Sequence, residues 1–444
     1  MNTDIKTWNT TDDNGADQDG TELMKRLPSL LRVLGTTALL VAMYSFLVKG
    51  WHSGGDVFRY LLLLGHTGAM TAIGLTSGHW LKEGKGARLL LTLALVSVSA
   101  NFAILGAFIF SQTNLATTVH YPGYVAWSVG SLSTALVVTG VALAVLLPVV
   151  FLGFSVLSRS MSSRLAVLFL ISNMALLVPL RDPHLVGYLV VVLSVFVLVF
   201  SGKAARHNVS AKTHEGMMAL VLQYLPIAVL LCRSIWLYTP DLFLLTILAL
   251  TVFFALRQIG MQLEGLPGIR NLVEIFSIVP ALGFGAGVGA TMIENGIFIT
   301  ELVLPVAALA AAGLVYEIST RAREGVALYR ALAVVVLCTG LLGNMLSFGG
   351  VLPAMMSAVI GIAVAVYGYL REQRIVFGGG MLTMSVGLIY QLYYATQIFH
   401  LGSWASLALL GMAAIVVGST IECHGCRIKL MLAAWKAKYG EWDL

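Results

Sequence analysis

Residues 270–301 read RNLVEIFSIVPALGFGAGVGATMIENGIFITE. The run is apolar enough to enter a bilayer, yet it holds Glu274, Glu294 and Glu301. It also holds Pro280 and four glycines, Gly283, Gly285, Gly287 and Gly289. Helix breakers and acids survive at membrane depth only where other protein or water satisfies them. Such a segment belongs inside a bundle of membrane helices, and anything the bundle binds or moves is expected to touch it.

The rest of the chain supplies that bundle. Hydrophobic residues make up 58% of the 444 and charged residues 11%, with mean hydropathy +0.88. A soluble domain runs near a quarter charged, so the composition is that of a membrane protein. A crossing helix needs about 20 apolar residues. Fourteen runs qualify, at 28–48, 57–79, 88–111, 126–150, 163–180, 184–201, 215–236, 241–257, 272–292, 296–316, 328–347, 350–370, 376–398 and 402–421. The shortest are 163–180, 184–201 and 241–257. The expected fold is therefore all-α and polytopic, with about fourteen transmembrane helices.

Charge sets the orientation. The net charge of +6 could suggest nucleic acid, but Lys and Arg fall in alternate turns rather than on one face. With the N-terminus inside, 23 of the 27 fall on the cytoplasmic side, leaving Lys49, Arg59, Arg181 and Arg233 outside. That is the positive-inside bias, and an even span count puts both termini in the cytoplasm. An integral protein of a bacterial inner membrane is expected, with the lipid bilayer as its medium and no nucleic-acid partner. The cadence of the last hairpins, Gly368 to Glu422, is similar to that of polytopic bacterial membrane proteins, a likeness of pattern that assigns no residue a role.

Three regions divide the chain. Residues 1–27 are polar and acidic, and they read as a disordered cytoplasmic tail. Residues 28–421 are the membrane domain. Residues 422–444 place Ile428, Met431, Leu432, Trp435, Tyr439 and Trp442 at helical spacing, with Lys429, Lys436 and Lys438 on other faces. This is the pattern of an interfacial amphipathic helix whose lysines meet anionic lipid. The outer loop 112–125 carries Tyr121-Pro122-Gly123-Tyr124. Trp51, Trp80, Trp127 and Trp236 fall near span ends, where aromatic side chains anchor to the interface.

Polar groups inside spans mark the candidate pathway. Glu301 lies five residues into the span 296–316, about 7–8 Å deep at 1.5 Å per residue. His66 lies in the second span with Arg59 seven residues before it, nearly two turns and so on one face. A buried Glu and a His are the natural pair for a proton relay. Asn101, Asn173, Gln223, Asn344 and Gln391 sit in other spans, where amides usually join helices. Asn101, Asn344 and Gln391 each follow a basic inner turn, which hints at internal repetition. Glu274 is spaced to pair with Arg270, four residues earlier. Pro280 predicts a kink, and Gly283 with Gly287 predicts close helix approach.

Catalytic motifs are absent: the chain has no G-x-x-x-x-G-K-[ST], no H-E-x-x-H and no G-x-S-x-G. Neither an enzymatic activity nor a cofactor is expected. Cys423 and Cys426 form a lone C-x-x-C, a weak metal candidate that lacks the other half of a tetrahedral site. The expectation is a secondary transporter or flippase of a solute or lipid-linked substrate, with Glu301, His66, Arg59, Asn101 and Gln391 on its pathway. The alternative is a non-catalytic scaffold subunit of an envelope complex.

Overall fold

The computed structural model describes residues 55–80, 84–113, 126–207, 209–237, 241–263, 266–296 and 299–398, with scattered helical positions in 27–45 and at 412, 415 and 419. Among the described residues the protein is all-helical. We number its helices α1 (Asp56–Trp80), α2 (Gly84–Ser111), α3 (Leu132–Leu157), α4 (Ser162–Leu177), α5 (Pro183–His207), α6 (His214–Val221), α7 (Leu225–Leu237), α8 (Leu242–Gln262), α9 (Pro267–Phe276), α10 (Ile278–Glu294), α11 (Val303–Ser319), α12 (Val326–Phe348), α13 (Val351–Leu370) and α14 (Arg374–Ile398). These labels do not map one to one onto spans, because α6 with α7 and α9 with α10 each form a single rod.

Ten helices or rods among the described residues are long and apolar enough to cross a membrane. Each coincides with an expected run. Two expected runs fall outside that set. The helix α1 is diluted by Arg59, His66, Thr67, Thr71 and Thr76, and α4 has 16 residues where a crossing needs about 20. The expected spans 28–48 and 402–421 are described only at scattered positions. The acidic tail, the loop 114–125, Cys423, Cys426 and the amphipathic C-terminal segment lie outside the described residues.

The chain forms two compact units, Met1–Leu180 with Val199–Leu230, and Arg181–Leu198 with Leu231–Leu444. In the first unit, α2 is the central helix and packs on α1, α3 and α4. Its basic turns meet at one end: Arg88 pairs with Glu215, and Ser160 hydrogen-bonds Ser210. At the other end Asp56 accepts the Ser128 backbone N–H at 2.9 Å, and Gln112 donates to the Val129 carbonyl at 2.6 Å.

In the second unit, α10 packs between α8 and α11, α11 packs on α12, and α12 meets the hairpin α13–α14. The core is built from Phe253, Ala281, Ala308, Ala312, Val315, Ile318, Tyr329, Ala333, Leu337 and Leu341. Local chemistry sets the helix starts. Asp241 caps α8 by accepting from the Phe243 and Leu244 N–H groups, and Pro267 opens α9 where its missing donor costs nothing. The α12–α13 turn uses Gly349 and Gly350 at φ 65° and 82°, a conformation that disfavours residues with a Cβ.

The four glycines of α10 serve two neighbours. A Cβ on Gly287 would meet Thr246 of α8, whereas one on Gly285 would lie 2.5 Å from the Ala311 Cβ and 2.6 Å from the Ala307 carbonyl of α11. Gly283, the expected partner of Gly287 in the seam, is the loose position: its Cβ would sit 3.7 Å from Ala249, an ordinary contact.

A tighter seam, not expected from the sequence, joins α13 and α14. Ala354, Ala358, Gly361, Ala365 and Gly368 are spaced four and three along α13 and buried. A Cβ on Gly361, Gly368 or Gly380 would come within 2.8 Å of the Met384, Phe377 or Ala365 Cα, respectively. The two backbones of this hairpin therefore touch directly, which only small residues at heptad spacing permit.

Candidate functional site

The rod 267–294 is interrupted at Ser277 rather than at Pro280, by one turn residue whose backbone stays helical (φ −68°, ψ −17°) and which keeps its hydrogen bonds to the Val273 carbonyl and from the Ala281 N–H. The reason is steric. Proline has no N–H for the carbonyl four residues back, that of Phe276, and its ring crowds that carbonyl. The break therefore lands one turn before the proline, between α9 and α10.

The helix α9 has an unusual polarity. Ile269, Leu272, Ile275 and Phe276 are at least half exposed, while Arg270 and Glu274 are each 9% exposed. The apolar face looks outward and the charged face inward, the arrangement of a helix with lipid on one side and a polar interior on the other. Arg270 Nε donates to Glu274 Oε1 at 2.8 Å, as their spacing requires.

Two more helix ends bring charges to the same place. The end of α8 supplies Arg257, and the end of α11 supplies Glu317 followed by Arg321. Glu317 Oε1 lies 3.0 Å from Arg257 Nε and 2.6 Å from Arg321 Nε. It makes no hydrogen bond of acceptable angle to either, so both contacts are ion pairs without alignment. Arg270 Nη2 donates to the Arg321 carbonyl, and Asn271 Nδ2 donates to Glu324 Oε2 at 2.7 Å. Arg321 Nη1 points at the Met261 sulfur, 2.9 Å away. Arg257, Met261, Arg270, Glu274, Glu317 and Arg321, together with Gly260, Ser277 and Ile318, line a cavity of about 30 Å³. That is room for one or two water molecules. Ser277, the residue at the break, is part of the lining.

The expected pathway residues do not converge on this cavity. Glu301 is half-buried in a one-turn 3-10 helix, Thr300–Leu302, which begins the rod Thr300–Ser319. It is therefore the second residue of its rod, where the apolar run 296–316 had placed it five residues in. Glu294 is exposed, as a turn residue should be. Arg59 is 8% exposed, pairs with Asp56 at 3.0 Å and lies over the Trp127 ring at 4.5 Å. Trp127, expected at the interface, is thus buried and also packs edge-on against Phe108, while Trp80 and Trp236 are exposed. His66 is half-buried on α1 and makes no hydrogen bond with the described residues.

Asn101 is fully buried and does join helices. Its Nδ2 donates to Thr67 Oγ1 at 3.0 Å and to the Ser97 carbonyl at 2.8 Å, and the Thr67 and Ser97 hydroxyls are 2.7 Å apart. Asn173 and Gln223 are likewise buried and bond to backbone carbonyls. Gln391 is half-buried on α14. Among the described residues no cluster of three or more His, Cys, Asp and Glu could hold a metal.

Arg257, Glu317, Arg321 and Met261 were not expected as one group from the sequence. A signal was present, since Glu317 and Arg321 have the same four-residue spacing as Arg270 and Glu274. Comparison with models of known families, with curated proteins and with solved structures finds no match.

Proposed function

We propose that the chain is a secondary transporter or flippase of about fourteen spans in a bacterial inner membrane, with both termini cytoplasmic. In this reading the Ser277 joint is its moving part, and the charged end of the second unit is its cytoplasmic gate. One observation carries the reading: the joint in the broken rod itself lines the charged cavity. On one side of the joint, α10 is held by close backbone approach to α8 and α11. On the other, α9 is ten residues long and bonds to the turn after α11 through Arg270 and Asn271. Its outer face is apolar and slides in lipid without breaking hydrogen bonds. Rotation about Ser277 parts these polar contacts and opens the cavity, while α10 stays locked. Broken helices lining a polar cavity are the recurring device of transporter sites.

Glu301 opens the rod that Glu317 closes. Sixteen residue rises separate them, about 24 Å, so the two acids stand near opposite faces of the bilayer. We assign Glu301 and His66 to proton coupling. Unchanged proton-driven uptake in vesicles carrying both Glu301→Gln and His66→Ala would remove them from that role.

The gate is tested with a single cysteine. In a chain whose Cys232, Cys338, Cys423 and Cys426 are serine, Ser277→Cys is expected to react with a membrane-impermeant thiol reagent from the cytoplasmic side. Asn271→Ala should speed that reaction, and Pro280→Ala should slow it. A rate indifferent to both changes describes a rigid end, and the scaffold reading would then stand in place of the transporter.

A further inference from the structure

We propose that the arginine-lined cavity between α8, α9 and α11 binds a phosphate-class oxyanion, carried on an inner-leaflet lipid headgroup or free in the cytoplasm. The proposal deepens the transport reading and rests on it for the side of the membrane that the cavity faces.

The first argument is unmet donor capacity. Three guanidinium groups, each with five N–H donors in a rigid fork, meet only two carboxylates. One oxygen of Glu317 lies between Arg257 Nε and Arg321 Nε with hydrogen-bond geometry to neither. Arg321 Nη1 is directed at the Met261 thioether, a weak acceptor. A phosphate offers three or four oxygens to such forks and matches them two at a time. Glu317 therefore stands where such an anion would meet the two guanidinium groups, without aligning to either.

The second argument is space and exchange. The cavity of about 30 Å³ holds water but no phosphate while Glu317 points inward. The Glu317 side chain is 26% exposed and those of Arg257 and Arg321 are 24% and 30% exposed, so the carboxylate has a way out and the anion a way in. When Glu317 leaves, three arginines face Glu274 alone. The third argument is access. The α9 wall presents Leu272, Ile275 and Phe276 outward, so acyl chains can lie against it while a headgroup reaches the charges behind. Basic pockets between membrane helices on the cytoplasmic side hold anionic headgroups in this way.

The test uses full-length protein and two probes. Retained phosphatidylglycerol is counted by native mass spectrometry from nanodiscs that also contain phosphatidylcholine, and inorganic phosphate is titrated against thermal stability. Arg257→Gln combined with Arg321→Gln should weaken binding about tenfold or more, the worth of at least one charge-assisted hydrogen bond. Arg159→Gln, which removes an exposed charge from a basic turn of the first unit, should leave binding unchanged. Glu317→Gln removes the competing carboxylate and should tighten binding about tenfold, a gain that misfolding cannot produce. A gain for phosphatidylglycerol alone makes the ligand a lipid, and a gain for phosphate alone makes it a free anion. If Glu317→Gln binds neither probe more tightly than the unmodified protein, the site is overturned. If the gain is present while Ser277→Cys labelling ignores Asn271→Ala and Pro280→Ala, the anion site stands and the gate falls.

Discussion

Replacing Gly285 with alanine tests how α10 is held. The new Cβ would lie 2.5 Å from the Ala311 Cβ and 2.6 Å from the Ala307 carbonyl oxygen, where ordinary contact is 3.4–4 Å. Neither obstacle can yield, since one is a methyl group on a buried helix and the other is backbone. The helices α10 and α11 must part by about 1 Å, and forcing an extra group into a packed core costs about 1–3 kcal/mol. Alanine also gains about 1 kcal/mol in helix propensity over glycine. Gly283→Ala gains the same propensity but meets Ala249 at 3.7 Å, which requires no displacement. The difference between the two variants cancels propensity and isolates the overpacking cost of about 1–3 kcal/mol. Thermal unfolding of the purified protein, followed by tryptophan fluorescence, reads that difference. At about 2–4 °C per kcal/mol for a unit of this size, Gly285→Ala should melt at least about 2 °C below Gly283→Ala. Equal melting temperatures, or the reverse order, would refute the packing argument.

Three further outcomes are expected. Arg270→Leu leaves Glu274 buried without its partner and should cost about 3 kcal/mol, whereas Arg270→Leu with Glu274→Leu should recover most of it; the double-mutant cycle in thermal unfolding measures this. Asn101→Leu and Thr67→Val should couple by about 0.6 kcal/mol, the usual worth of a hydrogen bond between membrane helices, and additive effects would show that the contact is energetically silent. Pro280→Ala restores the N–H that the Phe276 carbonyl lacks and should straighten the rod at Ser277; spin labels placed on α9 and α10 should move apart, and unchanged distances would mean that tertiary packing imposes the break.

What lipid as a solvent enforces can be read directly from the order of residues. Unsatisfied backbone is intolerable in hydrocarbon, so apolar runs such as 350–370 had to become helices, and the structure places α13 over that run. Covalent neighbours were legible too. Arg270 and Glu274 pair because four residues is one turn, and Pro280 breaks its rod because a missing N–H acts locally, although the break falls one turn earlier, at Ser277. Which helix meets which emerges only in the folded bundle. Outside the membrane, burial selects partners by hydrophobicity, but acyl chains are as apolar as leucine, so a lipid-facing Leu and a buried Leu read alike. Trp127 therefore reads as an interfacial anchor in the sequence, whereas in the fold it is buried beneath the Arg59 guanidinium. The charged cavity was least legible of all. Arg257, Arg270, Glu317 and Arg321 span more than sixty positions, and no periodicity links the ends of three helices that meet only because α10 fits between α8 and α11.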